Sequence, residues 1–283
     1  MAEDISPDLA CYGHPAVKTP NIDRLAEEGV RYLNVFGTAS SCTPCRNAMI
    51  LGMYQTRTDT HDQRRKTDVP LPDGVKPFPT LLREAGYYTA IGCGGTKKQD
   101  LNFTSQQTLF AGNDWKNRKG GQPFFAQISF NASHRNLKLG WLPVREASEH
   151  PVDPEDVVLP PYLPDHPACR EDWAMYLDSI EKVDDQVGQV MQRLDDEGIA
   201  DDTVVIFIGD NGRCHLRGKC WLYDAGIQVP MIIRGAGFEP GSVNDDLISG
   251  IDIKATILEL AGGEGPSYSD GQSCIASDYR ERR

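Results

Sequence analysis

The stretch TVVIFIGDNG, residues 203–212, joins an unbroken apolar run to a Gly-Asp-Asn-Gly turn. Such a run, rich in β-branched residues, describes a strand covered on both faces, as in a parallel sheet lying between helices. Open α/β sheets bring ligand-binding groups to the carboxyl ends of their strands, where Asp210 and Asn211 stand. A carboxylate and an amide carbonyl are hard oxygen donors suited to Ca²⁺ or Mg²⁺. Asp-Asn-Gly is equally good turn chemistry, and a turn can carry ligands.

The flanking sequence repeats the alternation of helix and strand. TPNIDRLAEEG (19–29) reads as a helix capped by Thr19, with Pro20 at its first position, Ile22, Leu25 and Ala26 on one face, and Gly29 as the stop. VRYLNVFG follows as a strand. PTLLREAGYYTAIG (79–92) repeats the scheme, and PFFAQISF (123–130) is a buried strand leading to His134. Residues 143–167, rich in Pro, Asp and Glu, lack periodicity and read as a surface loop. Trp173, Tyr176, Leu177, Ile180, Val187, Met191 and Leu194 then recur at helical spacing, up to a stop at Gly198. VPMIIRG (229–235) is a further strand, and DIKATILELAGG (252–263) a helix capped by Asp252 and stopped by Gly262. The expected architecture is one α/β domain spanning 1–283, a mostly parallel mixed sheet between helices.

The 283 residues carry a formal charge of −12, which argues against a general nucleic-acid binder. No apolar run approaches the about 20 residues of a membrane span, and the N-terminus does not resemble a signal peptide. Eight scattered cysteines fall far short of a disulfide scaffold.

Several further groups could carry chemistry. In SSCTPCRNAMILG (40–52), Cys42 and Cys45 form C-x-x-C, the spacing of a thiol–disulfide site or of a buried structural pair. Cys42, Pro44 and Arg46 also form C-x-P-x-R. Cys42 falls just ahead of a short helix, where free backbone N–H groups favour an anion. Glu3 and Asp4 are an acidic pair that reads as solvated surface or as metal ligands. Lys98 in GGTKKQD, His134 in NASHRN and Lys219 in RGKCWLYDAG are isolated cations beside predicted strands or glycine turns.

Taken in order, these segments resemble the formylglycine-dependent sulfatases of the alkaline-phosphatase-like superfamily. CYGHPAVKTPNIDRLAEEGVRYLNVFGTASSCTPCRNAMILGMYQTRT (11–58) is similar to that family's N-terminal region, GDNGRCHLRGKCWLYDAGIQVPMIIRG (209–235) to its second signature region, and GIDIKATILELAG (250–262) to its late helix. The resemblance runs from about residue 3 to about residue 274 and is nearest the branch that includes N-sulfoglucosamine sulfohydrolase. It implies that a maturation enzyme converts Cys42 to formylglycine, which Arg46 stabilises. It implies one divalent cation, Ca²⁺ or else Mg²⁺, held by Glu3, Asp4, Asp210, Asn211 and the modified Cys42. Lys98, His134 and Lys219 would contact the sulfate and leaving group, with His134 as the expected proton donor and Lys219 as the alternative. The substrate would be a sulfated glycan, split at an ester or a sulfamate, in a periplasmic or extracellular setting.

The sequence departs from the family at three places. Glu3 stands where Asp is common. Lys98-Gln99-Asp100 replaces a frequent Lys-x-His, leaving His61, Asp100 and His215 as candidate substrate contacts. Cys45 stands where Ser or Ala is usual. The family also places an apolar strand ahead of the acidic pair and a smaller subdomain after residues such as GQSCIASDYRERR (271–283). The expectation is therefore an incomplete catalytic domain lacking its first strand, with unpaired sheet edges and low stability. Two rival expectations accompany it: a catalytically inert sulfatase-like domain, and a C-x-x-C oxidoreductase. A phosphatase of the same superfamily would use Ser or Thr and two metals.

Overall fold

The computed structural model describes residues 1–105 and 107–275. In chain order these form α1 (Pro20–Glu27), β1 (Val30–Phe36), α2 (Cys42–Leu51), β2 (Val69–Pro70), α3 (Phe78–Glu84), β3 (Tyr88–Ile91), β4 (Phe103–Thr104) and β5 (Phe124–Gln127). They continue with α4 (Leu142–Glu146), α5 (Pro167–Asp196), β6 (Val205–Ile208), α6 (Asp224–Ile227), β7 (Met231–Arg234), β8 (Ser242–Ser249) and α7 (Asp252–Leu260).

The largest sheet has the order β6-β7-β1-β8. β1 runs parallel to β8 and antiparallel to β7, and β6 runs antiparallel to β7. β3 pairs with β5, and β2 with β4, both in parallel. Ala2 links the two larger units, because it bridges Phe130 just beyond β5 and Gly209 just beyond β6, both in parallel. The result is the expected mixed, mostly parallel α/β architecture.

The acidic pair does have an extended segment to hang from. The Ala2 N–H donates to the Ile208 carbonyl at 2.9 Å, and the Glu3 N–H to the Phe130 carbonyl at 3.1 Å. In return the Asp210 and Phe130 amides donate to Ala2 and Met1. This short rung sets Glu3 and Asp4 beside Asp210 at the carboxyl edge. Farther back the edges of β5 and β6 part around a cavity of about 610 Å³, lined by Phe124, Ala126, Ile128, Val205 and Phe207 among others.

Helix α5 carries the main core. Trp173, Tyr176, Leu177, Ile180, Val183, Val187, Met191 and Leu194 are buried, a stripe at helical spacing packed with Ile22, Leu25 and Ala26 of α1. Each fully buried side chain of this size contributes about 1.5–3 kcal/mol of transfer free energy. Asp184 in the middle of α5 is buried because its carboxylate accepts from the Asn21 and Ile22 amides, at 3.2 and 2.7 Å. It therefore caps α1. The Thr19 hydroxyl expected in that role bonds to Asp23 instead.

Three other expectations change. Asp252 lies inside α7 rather than at its cap, and its carboxylate accepts from the Ser249 and Gln272 amides. The loop between 143 and 167 begins inside α4 and is pinned to α5, with the Val152 amide and Arg145 both bonded to Asp178. β8, a polar edge strand along β1, was not expected from its sequence. Among the described residues no helix is long and apolar enough to cross a membrane.

Candidate active site

Five segments meet at the carboxyl edge of the sheet. The Met1–Asp4 segment brings two carboxylates, the β6 end brings Asp210 and Asn211, and α2 brings Cys42 and Arg46. The turns after β3 and within 213–223 bring Lys98 and Lys219. Cys42 is the first residue of α2, with Ser41 at the cap. The Asp210–Asn211 turn can form because Gly212 lies against α6, where a Cβ would fall 2.1 Å from the Ala225 carbonyl. Asp4 adopts φ +50°, a left-handed conformation that L-residues take up at a cost and that clusters at functional sites.

The groups form one buried lattice of charge. Arg46 Nε lies 2.9 Å from Asp210 Oδ2, and its Nη1 donates to Ser129 Oγ at 3.2 Å. The other Asp210 oxygen accepts from the Asp4 and Asn211 amides at 3.0 and 2.8 Å. Lys219 Nζ lies 2.6 Å from Asp4 Oδ1 and 3.1 Å from Cys42 Sγ. Lys98 pairs with Glu3, and also lies 3.1 Å from Asp100. His134 Nε2 lies 4.0 Å from Asp4 Oδ2. Glu3, Asp4, Asp210 and Asn211 are at most 1% exposed.

Among the described residues, three oxygens in this lattice have no hydrogen-bond partner: Glu3 Oε1, Asp4 Oδ2 and Asn211 Oδ1. Buried oxygens left unpaired are costly, and three of them on neighbouring residues fit a hard cation. Glu3, Cys42 and His134 form one cluster with ligand atoms within 4.8 Å of one another; Asp4, Cys42 and Asp210 form a second.

The electrostatics follow from burial and its compensation. Burial raises the Glu3 carboxyl, opposed by Lys98 and Arg46. Burial acts in the same direction on Asp210, but Arg46 and Lys98 outweigh it and hold that carboxyl below its usual range. Burial lowers the Lys219 ammonium, yet Asp4 and Cys42 more than reverse this, so it stays protonated. Burial, then Asp210 and Asp4, push the Cys42 thiol far up despite its place at a helix N-terminus. Cys45 donates its thiol proton to the Ala39 carbonyl at 2.7 Å and is pushed up to about 12, chiefly by burial. Both cysteines are free, and neither has the lowered pKa of a C-x-x-C redox centre.

The structure thus gathers Glu3, Asp4, Cys42, Arg46, Lys98, His134, Asp210, Asn211 and Lys219, with Asp100 at the edge. It does not bring in His61, which is exposed and lies near Asp59 and Asp62. His215 is also elsewhere. It sits 5% exposed in a box of Trp141, Trp173 and Tyr176, 3.3 Å from Asp172, and burial lowers its pKa. Among the described residues neither histidine contacts the cluster, although Gln63, two residues beyond His61, accepts from the Thr43 amide at 3.1 Å. Ser129, which orients Arg46, went unnoticed in the sequence. Its only signal was its place at the end of a predicted strand.

A family model described as Sulfatase matches residues 1–113 and 96–263, which together span most of the chain. The chain belongs to the sulfatase family. An ulvan-active sulfatase of Formosa agariphila is 29% identical over 331 residues, covering 100% of this chain and 54% of that protein. Human N-sulphoglucosamine sulphohydrolase is 27% identical over 312 residues, covering 95% and 61%. This sulfatase chain therefore spans a little over half the length of these curated relatives. Among solved structures, a protein bound to its substrate D-glucosamine-2-N,6-O-disulfate superposes with TM-score 0.73 at 19% identity, over 96% of this chain and 78% of that one. At that identity the likeness speaks for the fold.

Proposed function

We propose that this chain carries the hydrolytic centre of a sulfatase acting on the sulfate ester or sulfamate of a sulfated saccharide. Residue 42 would be matured to formylglycine by a separate enzyme. One divalent cation, Ca²⁺ or Mg²⁺, would be held by Glu3, Asp4, Asp210, Asn211 and residue 42. The observation that carries the reading is the set of three unpartnered buried oxygens on Glu3, Asp4 and Asn211 beside Cys42. When bound, the cation would supply Lewis-acid polarisation and positive charge where the transition state becomes more negative. Formylglycine would supply, as its hydrate, a hydroxyl nucleophile in place of a thiol that burial keeps protonated.

The chain's own residues then divide the remaining work. Glu3, Asp4 and Asp210 are balanced by Arg46, Lys98 and Lys219, so the centre is neutral without a metal. A divalent cation leaves it two charges positive, complementary to an incoming anionic sulfate. Arg46 holds Asp210 ionised and is itself fixed by Ser129. Lys219, held between Asp4 and residue 42, would bind a sulfate oxygen. His134 is the most exposed of the gathered groups, with 32% of its side chain accessible. It would face the leaving group and deliver the proton that group needs.

The test is intact mass of the chain expressed with and without a formylglycine-generating enzyme, followed by turnover of 4-methylumbelliferyl sulfate with Ca²⁺ or EDTA. A mass loss at the Cys42 peptide together with Ca²⁺-dependent turnover is expected. An active preparation with an unaltered Cys42 would overturn the reading. The second reading, an inert sulfatase-like domain, draws on the open slot between β5 and β6, and predicts maturation without turnover.

A further inference from the structure

Residues 213–223 present one cation inward and a second outward. Lys219 reaches Asp4 and Cys42, whereas Arg217, two residues earlier, is exposed. Its guanidinium carbon lies 5.1 Å from the centre of the Tyr162 ring and 5.3 Å from that of Tyr223. No carboxylate pairs with it among the described residues.

The arrangement is built rather than incidental. The Lys219 amide donates to the Arg213 carbonyl at 2.7 Å, and the Gly218 amide to the His215 carbonyl at 2.9 Å. A Cβ on Gly218 would fall 2.0 Å from the Arg213 carbonyl oxygen, so the turn admits only glycine there. Arg217 adopts φ +61°, a left-handed conformation retained only where the surroundings fix it. Tyr162 is held in turn by its hydroxyl, which accepts from Arg213 Nη2 at 3.1 Å, and Arg213 is anchored on Asp8. Tyr223, the second ring against Arg217, is 52% exposed.

We infer that Arg217, with Tyr162 and Tyr223, forms a second anion subsite that reads an acidic group on the sugar adjoining the scissile sulfate. This rests on the saccharide sulfatase reading above. Consecutive Cα atoms are about 3.8 Å apart, so the backbones of Arg217 and Lys219 are separated by at most about 7.6 Å. The Cys220 amide donates to the Ser40 carbonyl at 2.7 Å, which fastens this loop beside the start of α2 and sets Arg217 on the solvent side of the centre. The guanidinium fork suits a carboxylate or a sulfate. Arg217 is a specificity residue here, and no step of the bond cleavage passes through it.

The test compares a monosulfated disaccharide bearing an adjacent uronate with its carboxyl-reduced counterpart, and with a version carrying a second sulfate in place of the carboxylate. The matured chain is expected to prefer both dianionic forms. R217A should lower that preference about tenfold, with the loss appearing in KM, as expected for a charge-assisted contact. R217K should restore part of it. A matured chain with no preference, or an R217A variant that keeps the preference or loses all three substrates equally, would overturn the inference. If no saccharide is turned over, the functional reading fails separately. Calorimetric binding of the same disaccharides to C42A and to C42A/R217A then decides the subsite independently.

Discussion

Replacing Arg46 with methionine isolates the charge that holds the centre together. The side chain is 2% exposed, and its partners Asp210 and Glu3 are no more accessible. Removing one member of a buried pair typically costs about 3–5 kcal/mol, because the other charge is left uncompensated. Lys98 and Lys219 remain on Glu3 and Asp4, so the low end, about 3 kcal/mol, is the working figure. For a chain of this size each kcal/mol moves Tm by about 2–4 °C, which gives a loss of about 6–12 °C in EDTA. Calcium at a hundred times its Kd adds about 2.7 kcal/mol to a protein that binds it only when folded. With Arg46 gone the cation faces less repulsion, so Ca²⁺ should raise Tm more in R46M than in the wild type. The pH dependence has a definite sign. Arg46 holds Asp210 below its ordinary pKa, so this stabilisation is present above the unfolded carboxylate pKa and is lost as pH falls through the folded one. The gap between wild type and R46M should therefore be widest near neutrality and close in acid. Thermal unfolding of both proteins in EDTA and in Ca²⁺, from pH 2.5 to 7.5, measures all three effects. An R46M variant as stable as wild type in EDTA would refute the reasoning.

Further outcomes follow from other parts of the molecule. Lys254 is fully buried, its ammonium bonded to the Leu51 and Lys76 carbonyls and to the Tyr268 hydroxyl, and burial pulls its pKa down to about 7. The folded state thus sheds this proton before the unfolded state does. Stability relative to K254M should rise by about 1 kcal/mol per pH unit between pH 7.5 and 9.5, and urea unfolding showing a constant difference would contradict it. The slot between β5 and β6 should bind an apolar fluorescent dye in the folded chain; fusing four β-branched residues ahead of Met1 should abolish that signal and raise Tm. Unchanged dye binding in a well-folded fusion would mean the slot does not take a strand. Cys45→Ser keeps a donor for the Ala39 carbonyl, so matured enzyme should retain turnover, whereas a C-x-x-C oxidoreductase would lose its activity.

Elements that bury a regular apolar face were legible in the sequence. The α5 stripe from Trp173 to Leu194 and the run leading into Asp210 needed only periodicity, because burial sets both patterns. β8 was not legible, since Ser242–Ser249 alternates polar residues. Its place comes from the free edge of β1, and a polar edge strand resists further pairing. Capping failed for a related reason. Thr19 has the right chemistry beside α1, but Asp184, 162 residues from Ile22, supplies the two acceptors, and no local rule reports a partner so far along the chain.

The site divides along the same line. Asp210 and Asn211 were readable because a buried strand delivers them to an edge, whereas Glu3 and Asp4 gained meaning only from the motifs that follow. His215 shows where proximity in sequence misleads. It lies four residues from Lys219, yet the Arg213–Lys219 turn, closed by Gly218 against the Arg213 carbonyl, parts the two side chains. Lys219 enters the carboxylate cluster, and His215 enters the aromatic box of Trp141, Trp173 and Tyr176. A turn that must place one cation at Asp4 thus constrains its neighbours as well, burying the histidine and leaving Arg217 facing outward. Widening that turn with Gly218→Ala should therefore disturb Lys219, His215 and Arg217 together. The expected signs are lost turnover and weakened saccharide preference, with near-ultraviolet circular dichroism from the tryptophan box changing in the same variant. If only one of these changed, the three side chains would not share a single backbone constraint.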